Sequence, residues 1–417
     1  MKKIIVLTHN PVRDPVTDDC LSACLRKKGH FVFRRGFLED DKNMILCIKP
    51  NIVIVPEIRC EYTRDFAAQC KAWGIQVVVR PCEVGISAES MATISDEYRK
   101  AIFGNWPVNE LIDLMLCWGP KMKTLFSMYG GIEEHKMEAV GGLAFDQFFL
   151  PPPPETIPRT EKKRVLFATG FAYADRNPQY AIPEARPEDR LHAEMVRIDS
   201  AARARWLTAI KQFWAQRGND WEIWVKPHPG EKEEVYRAVL KDIVTYCPPL
   251  PAVRALRYVD AVVHAGSTMA FEAHLLQKPA FCFDNICQDI IVSKISPQVE
   301  TVEELIKNLD GLDPTRSNAN PEIIDLLQRD YYGTCDGKAS QRAAEAIDAL
   351  PENHPQVPDQ WPPFTGMRYK TDCILINVER WQCRACQTIY HVQGPREMVK
   401  CPCCGIANVK MNRPINS

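Results

Sequence analysis

Two short segments of the chain combine residue types that handle phosphate. In Val225-Lys226-Pro227-His228-Pro229-Gly230 an apolar run stops at a base, a histidine and two prolines. The prolines stiffen the loop, so His228 is presented in a fixed direction, and either it or Lys226 can pair with a phosphate. The plainer alternative is a structural loop whose histidine makes one backbone hydrogen bond. Roughly 35 residues later comes His264-Ala265-Gly266-Ser267-Thr268, leading into Met269-Ala270-Phe271-Glu272-Ala273. A strand that runs into Gly-Ser-Thr and then a helix offers a capping hydroxyl and open backbone N–H groups, which together make an anion site. Most Ser-Thr pairs only cap helices. Beside the His-Pro loop, this pair describes a cradle for a nucleotide monophosphate or diphosphate.

A third cluster is of another kind. Cys383 and Cys386 form one C-x-x-C knuckle, and Cys401 and Cys404 form a second after 14 intervening residues. That is zinc-ribbon spacing, with four soft ligands on two tight turns around a tetrahedral ion. Cys403 is a spare thiol or an alternative ligand. Protein ligands at every position mean a structural zinc, able to fold a small module that lacks a large core. Twelve of the 17 cysteines lie singly along the rest of the chain, mostly in apolar runs, as small buried hydrophobes do in a reducing compartment. A disulfide pair in the tail fits that setting poorly.

The elements that must position these groups come in two sets. Candidate strands at 2–9, 51–57, 75–81, 114–119 and 136–142 are continuous apolar runs, as strands buried on both faces of a parallel sheet are. Helical stretches at 17–28, 62–73 and 95–103 lie between them. Pro151 to Pro154 interrupt the pattern with a stiff extended spacer. The pattern restarts with strands at 164–170, 221–229, 260–267 and 279–284 and helices around 189–216 and 338–350. The Pro-rich stretch PENHPQVPDQWPP then reads as a second linker. The fold class is α/β: twin Rossmann-like domains with a cleft between them, at 1–150 and 160–350, and a small zinc ribbon at 366–417.

The His-Pro loop followed by the Gly-Ser-Thr…Glu-Ala helix resembles GT-B glycosyltransferases of bacterial surface-carbohydrate biosynthesis. That group includes capsular Kdo transferases, polysialyltransferases and CDP-glycerol glycerophosphotransferases. Trp118-Gly119, Val140-Gly141-Gly142…Asp146 and Val165-Leu166-Phe167-Ala168-Thr169-Gly170 look like the same group. The resemblance covers about residues 1–350. It implies that His228 contacts the phosphate of a nucleotide-sugar donor, often a CMP or CDP group, with UDP the alternative. It implies further that Ser267 and Thr268 hold the same phosphate and that Glu272 reaches the donor ribose or base. Many members carry an Asp/Glu-Glu-Gly motif as base or nucleophile. The matching place here is Arg80-Pro81-Cys82-Glu83-Val84-Gly85, where only Glu83 and Gly85 remain of the pattern. Glu83 is the expected base, with His9 and Asp146 next in line.

His9 and Asn10, after the first strand, are candidates for the acceptor side, and Arg176 for a further phosphate contact. No D-x-D metal motif stands out, so Lys226, His228 and the helix N-terminus are expected to neutralise the phosphate. The expected activity is transfer of a sugar to a hydroxyl of a surface glycan. Two alternatives stand beside it: a transferase acting on modified DNA bases, and a sugar-nucleotide epimerase or a non-catalytic binding protein of the same architecture.

Composition limits the partners. The 417 residues carry 52 basic and 53 acidic side chains, so no global field draws in nucleic acid or a membrane surface. The tail differs: residues 366–417 hold three Lys and five Arg against three acids, a charge of +5 that leaves −6 for the rest. With Arg380, Trp381, Arg384, Tyr390, Arg396 and Lys400, the tail reads as a nucleic-acid-binding module, which is what favours the DNA alternative. No stretch approaches the ~20 apolar residues of a membrane span. The opening MKKIIVLTHNP has too short an apolar run for a signal peptide, so a cytoplasmic protein is expected.

Overall fold

The computed structural model describes residues 1–9, 14–36, 41–58, 61–81, 109–151, 157–158, 160–171, 173–175, 187–228, 231–241, 243–246, 251–283 and 291–360. Of the tail it describes 379–382, 389–392, 399–400 and 407–408. Contacts divide the chain into two compact units, Met1–Trp361 and Pro362–Ser417.

The first unit contains two parallel sheets. β1 (Lys3–Thr8), β2 (Phe31–Gly36), β3 (Ile52–Val55), β4 (Gln76–Val79), β5 (Leu114–Cys117) and β6 (Met137–Ala139) lie in the order β2-β1-β3-β4-β5-β6. β7 (Lys163–Ala168), β8 (Trp221–Lys226), β9 (Thr245–Tyr246), β10 (Ala261–His264), β11 (Ala280–Phe283) and β12 (Gln298–Val299) lie in the order β12-β11-β10-β7-β8-β9. The intervening helices are α1 (Pro15–Lys27), α2 (Asp41–Ile48), α3 (Glu61–Ala72) and α4 (Pro120–Gly130) in the first half. The second half has α5 (Pro187–Arg217), α6 (Glu233–Leu240), α7 (Ala252–Arg257), α8 (Met269–Leu275) and α9 (Val302–Asp310). Each expected strand forms at its expected place, β7 starting one residue early at Lys163, because β3, β4, β5, β10 and β11 are buried along their whole length and consist almost wholly of apolar residues. β2 lacked that signature. It is an edge strand whose Phe31 and Phe33 are 54% and 38% exposed, so its two faces never had to be apolar.

After α9 the chain returns to the first half through α10 (Pro321–Leu326) and α11 (Ala339–Asp348), which packs on α1 through Ala339, Ala343, Ala344 and Ile347 against Leu21 and Leu25. The crossing is tight. Gly333 has φ +67°, and a Cβ there would stand 2.4 Å from the Trp118 carbonyl oxygen. Asp146, weighed as a base, instead caps α11: its carboxylate oxygens accept from the Ala339 amide at 3.0 Å and the Ser340 amide at 2.6 Å. The start of the expected second linker is also docked. Asn353 Nδ2 donates to the Asn51 and Gly74 carbonyls at 2.8 Å each, the Gln356 amide donates to Trp73 O, and Val357 is buried.

In the second unit β13 (Glu379–Gln382) pairs antiparallel with β14 (Ile389–Val392), and β15 (Val399–Lys400) with β16 (Ala407–Asn408). The cysteines 383, 386, 401, 403 and 404 lie outside the described residues. None of the described helices is long and apolar enough to cross a membrane.

Candidate functional site

Both sheets reverse their winding direction at one place. In the second sheet the chain moves from β7 outward to β8 and β9, then returns to the other side of β7 with β10, β11 and β12. The crevice at the carboxyl ends of β7 and β10 is therefore the switch point, where open α/β sheets bind ligands. In the first sheet the corresponding point lies between β1 and β3. The ladder aligns His264 of β10 with Ala168 of β7, and Ala168 with Lys226 of β8. Three turns thus stand side by side on one edge: Thr169–Phe171, Lys226–His228 and Ala265–Thr268.

The turn after β10 is organised from below by His264. Its ring has no solvent exposure, and burial pushes its pKa down to about 3. The neutral ring accepts from the Gly266 and Ser267 amides at Nδ1, each at 3.2 Å. The proton therefore sits on Nε2, 3.0 Å from Ser296 Oγ. Ser267 Oγ accepts from the Met269 amide at 3.2 Å, and the Ala270 and Phe271 amides bond to the Ser267 and Thr268 carbonyls. This corrects the expectation of open amides at the start of α8: the turn needs those N–H groups for its own shape. What it offers a ligand is the Ser267 hydroxyl hydrogen and the exposed Thr268.

The turn after β8 carries an exposed His228, with Lys226 partly buried at the strand end. Sequence reasoning missed the group that shapes it. Glu231 Oε1 accepts from the His228 amide at 3.0 Å, the Thr169 hydroxyl at 2.7 Å and the Phe171 amide at 3.2 Å. Glu231 Oε2 accepts from the hydroxyl of the fully buried Tyr236, whose pKa is raised by burial and by this carboxylate. Two more carboxylates tie the same loops. Asp175 accepts from the Lys232 amide and pairs with Arg203 at 2.7 Å; burial alone would push its carboxyl up, but these partners hold it below the usual range. Asp199 accepts from the Tyr173 amide at 2.9 Å, and burial pushes its carboxyl up. A Glu three residues after a histidine, within Gly-Glu-Lys-Glu-Glu, looks like solvated charge in the sequence.

Lys226, His228, Ser267 and Thr268 are therefore brought to one sheet edge, while Glu272 follows in α8 with one carboxylate oxygen buried. After burial, the Glu272 charge helps push up the pKa of the buried Tyr332 hydroxyl. The exposed His9 follows β1, at the first sheet's switch point and not with the phosphate-type group. Asn10, Glu83 and Arg176 lie outside the described residues. The described residues Arg80 and Pro81, which precede Glu83 in sequence, are held in place. Trp118 Nε1 donates to the Pro81 carbonyl at 3.0 Å, and Arg80 lies 2.7 Å from the fully buried Asp18, whose carboxyl burial pushes up against the pull of that cation. Trp118 also packs on Phe145 and Tyr332, and Tyr332 lies 4.5 Å from Phe271 of α8, ring centre to ring centre. Among the described residues no group of three or more His, Cys, Asp or Glu could hold a metal ion.

No protein-family model and no curated protein matches the sequence. Solved structures do match. A putative UDP-N-acetylglucosamine 2-epimerase from Listeria monocytogenes aligns at 15% identity with a TM-score of 0.51, over 83% of this chain and 96% of its own. The S. aureus MnaA–UDP complex aligns at 15% identity and 0.52, over 84% and 96%. A variant of the wall teichoic acid polymerase TagF aligns at 12% identity and 0.52, over 83% and 88%. The fold is GT-B-like. At identities this low the structural likeness shows the fold alone and leaves the activity to the site residues.

Proposed function

We propose that the chain is a nucleotide-sugar-dependent glycosyltransferase. The observation that carries this reading is the placement of Lys226 and His228 on one flank of β7, and of Ser267 and Thr268 on the other, at the second sheet's switch point. In this reading His228 and Lys226 neutralise the donor phosphate and the two hydroxyls complete its hydrogen bonds. Glu272 reaches the ribose or base, and Arg176 adds a phosphate contact. Glu83 acts as base on the acceptor hydroxyl, carried by a segment whose root, Pro81, is held by Trp118. His9 and Asn10 face the acceptor from the first sheet. CMP and CDP donors are favoured, UDP is the alternative, the acceptor is a surface glycan, and the setting is cytoplasmic.

A second reading, sugar-nucleotide epimerase, is favoured by the 96% coverage of the Listeria structure. One assay separates the two. Incubated with CMP-, CDP- and UDP-sugars, a transferase releases nucleotide in an acceptor-dependent way. An epimerase inverts a sugar centre and leaves the sugar product attached to its nucleotide.

The tail is proposed to be a zinc ribbon. Cys383 directly follows β13 and Cys401 directly follows β15, so each knuckle begins at the end of a paired strand, as a ribbon requires. Bound there, zinc would supply folding energy through its four thiolates. Elemental analysis should find one zinc per chain, released by Cys383→Ser or Cys404→Ser. If the basic tail presents DNA as acceptor, truncation after Asp359, beyond the docked 351–357 segment, should abolish transfer to DNA and flatten the salt dependence of DNA binding. Survival of transfer to a small glycan acceptor after the same truncation favours the glycan.

A further inference from the structure

Glu231 bonds both to the His228 backbone and to the neighbouring turn. A carboxylate accepts about four hydrogen bonds, and Glu231 receives four: His228 N, Thr169 Oγ1, Phe171 N and Tyr236 OH. Asp175 and Asp199 each tie one loop amide, at Lys232 and Tyr173, and Asp199 also feels the His228 side chain electrostatically. Tyr236 is fully buried in α6, so the carboxylate is fastened to the core of the domain on one side and to two surface turns on the other. The turns it joins follow β7 and β8, adjacent strands in register at Ala168 and Lys226. Moving this carboxylate would therefore move His228 relative to the crevice.

We propose that Glu231 is a positioning residue for the phosphate site. It sets where the His228 side chain stands against the turn after β7 and so determines how tightly a nucleoside diphosphate is held. The inference rests on the reading of His228 as a phosphate contact and adds to it a residue that acts through His228.

The test uses the full chain with CDP and UDP as probes. E231Q keeps the size of the side chain and one acceptor oxygen but replaces the other oxygen with a donor. It is expected to weaken CDP binding about tenfold in calorimetry, as loss of an ordered charge-assisted contact does. The readout that a merely structural role would not move is a double-mutant cycle. If Glu231 acts through His228, E231Q adds nothing to the loss already caused by H228A. Equal losses in the wild-type and H228A backgrounds overturn the proposal.

Amide exchange supplies a ligand-independent second measurement. In E231Q the segments 169–173 and 226–232 should exchange faster together while the rest of the sheet is unchanged. Unchanged exchange there overturns the tie itself. If neither CDP nor UDP binds wild type, or if H228A binds them as wild type does, the phosphate reading fails and the positioning role fails with it. Faster exchange in E231Q then shows that the tie exists and that the error lies in the phosphate reading.

Discussion

His264 and His228 belong to the two strands that flank β7, one closing β10 and the other two residues beyond β8. They share a sheet edge and a residue type, and their surroundings separate them. His264 has no exposure, is held neutral by burial, and spends Nδ1 on two backbone amides and Nε2 on Ser296. His228 is exposed, and its backbone amide is bonded to Glu231. Burial separates the two: the covered ring builds the turn, and the exposed one is the residue assigned to the phosphate in the proposed function.

The comparison is broken most severely at His264. His264→Ala leaves two amides and Ser296 without their partner in a buried place and should cost about 3 kcal/mol or more in chemical denaturation. His264→Asn, which restores an acceptor oxygen, should recover part of that loss. A His264→Ala protein as stable as wild type would remove the scaffold role. The same change at His228 should leave stability within about 0.5 kcal/mol, as for an exposed site. It should weaken CDP binding by about 1.5–3 kcal/mol, roughly ten- to a hundredfold, measured by calorimetry.

A pH series sharpens the contrast. His264 stays neutral in the folded chain down to about pH 3, whereas an unfolded histidine takes up its proton near its ordinary 6.5. The unfolded chain thus binds more protons between those limits. The His264 contribution is complete above about pH 6.5 and is lost as pH falls toward 3, at up to about 1.4 kcal/mol per pH unit. The difference in unfolding free energy between wild type and His264→Asn should carry that slope. A difference that does not vary with pH would contradict the buried neutral ring. The smallest effects belong to the Ser267-Thr268 pair, with Ser267→Ala the larger of the two. That change removes the acceptor of the Met269 amide and should cost about 1 kcal/mol, whereas Thr268→Ala at its exposed position should leave stability nearly unchanged.

Much of the architecture was legible because a strand buried on both faces permits little except apolar residues. The runs Ile52–Val55, Gln76–Val79 and Ala261–His264 announce themselves that way. Edge strand β2 escaped because exposure relaxes the rule. Helices α4 and α9 are not among the expected elements, their buried apolar positions being few and set among polar and charged residues. Lys226, His228, Ser267 and Thr268 were legible as residue types at strand ends. The partners that shape them were not, since Glu231, Asp175 and Asp199 meet their amides across gaps of 3 to 60 residues and look like ordinary surface acids. Asp146 shows the converse. A carboxylate near a glycine pair looked able to serve as a base, and its two oxygens are used to start a helix 193 residues away. The stretch 351–357 read as linker from its prolines, but hydrogen bonds from Asn353 and Gln356 to Asn51, Gly74 and Trp73 are made by polar groups that sequence leaves anonymous.

The central claim is that a nucleoside diphosphate binds where β7 and β10 part, against His228 and Ser267. A crystal structure of the full chain with CDP tests it most directly. The account predicts the diphosphate within hydrogen-bond distance of the His228 ring and the Ser267 hydroxyl, with His264 still bonded to the Gly266 and Ser267 amides beneath it. A diphosphate bound away from that edge, or a His264 ring that has swung out to meet it, would contradict the account.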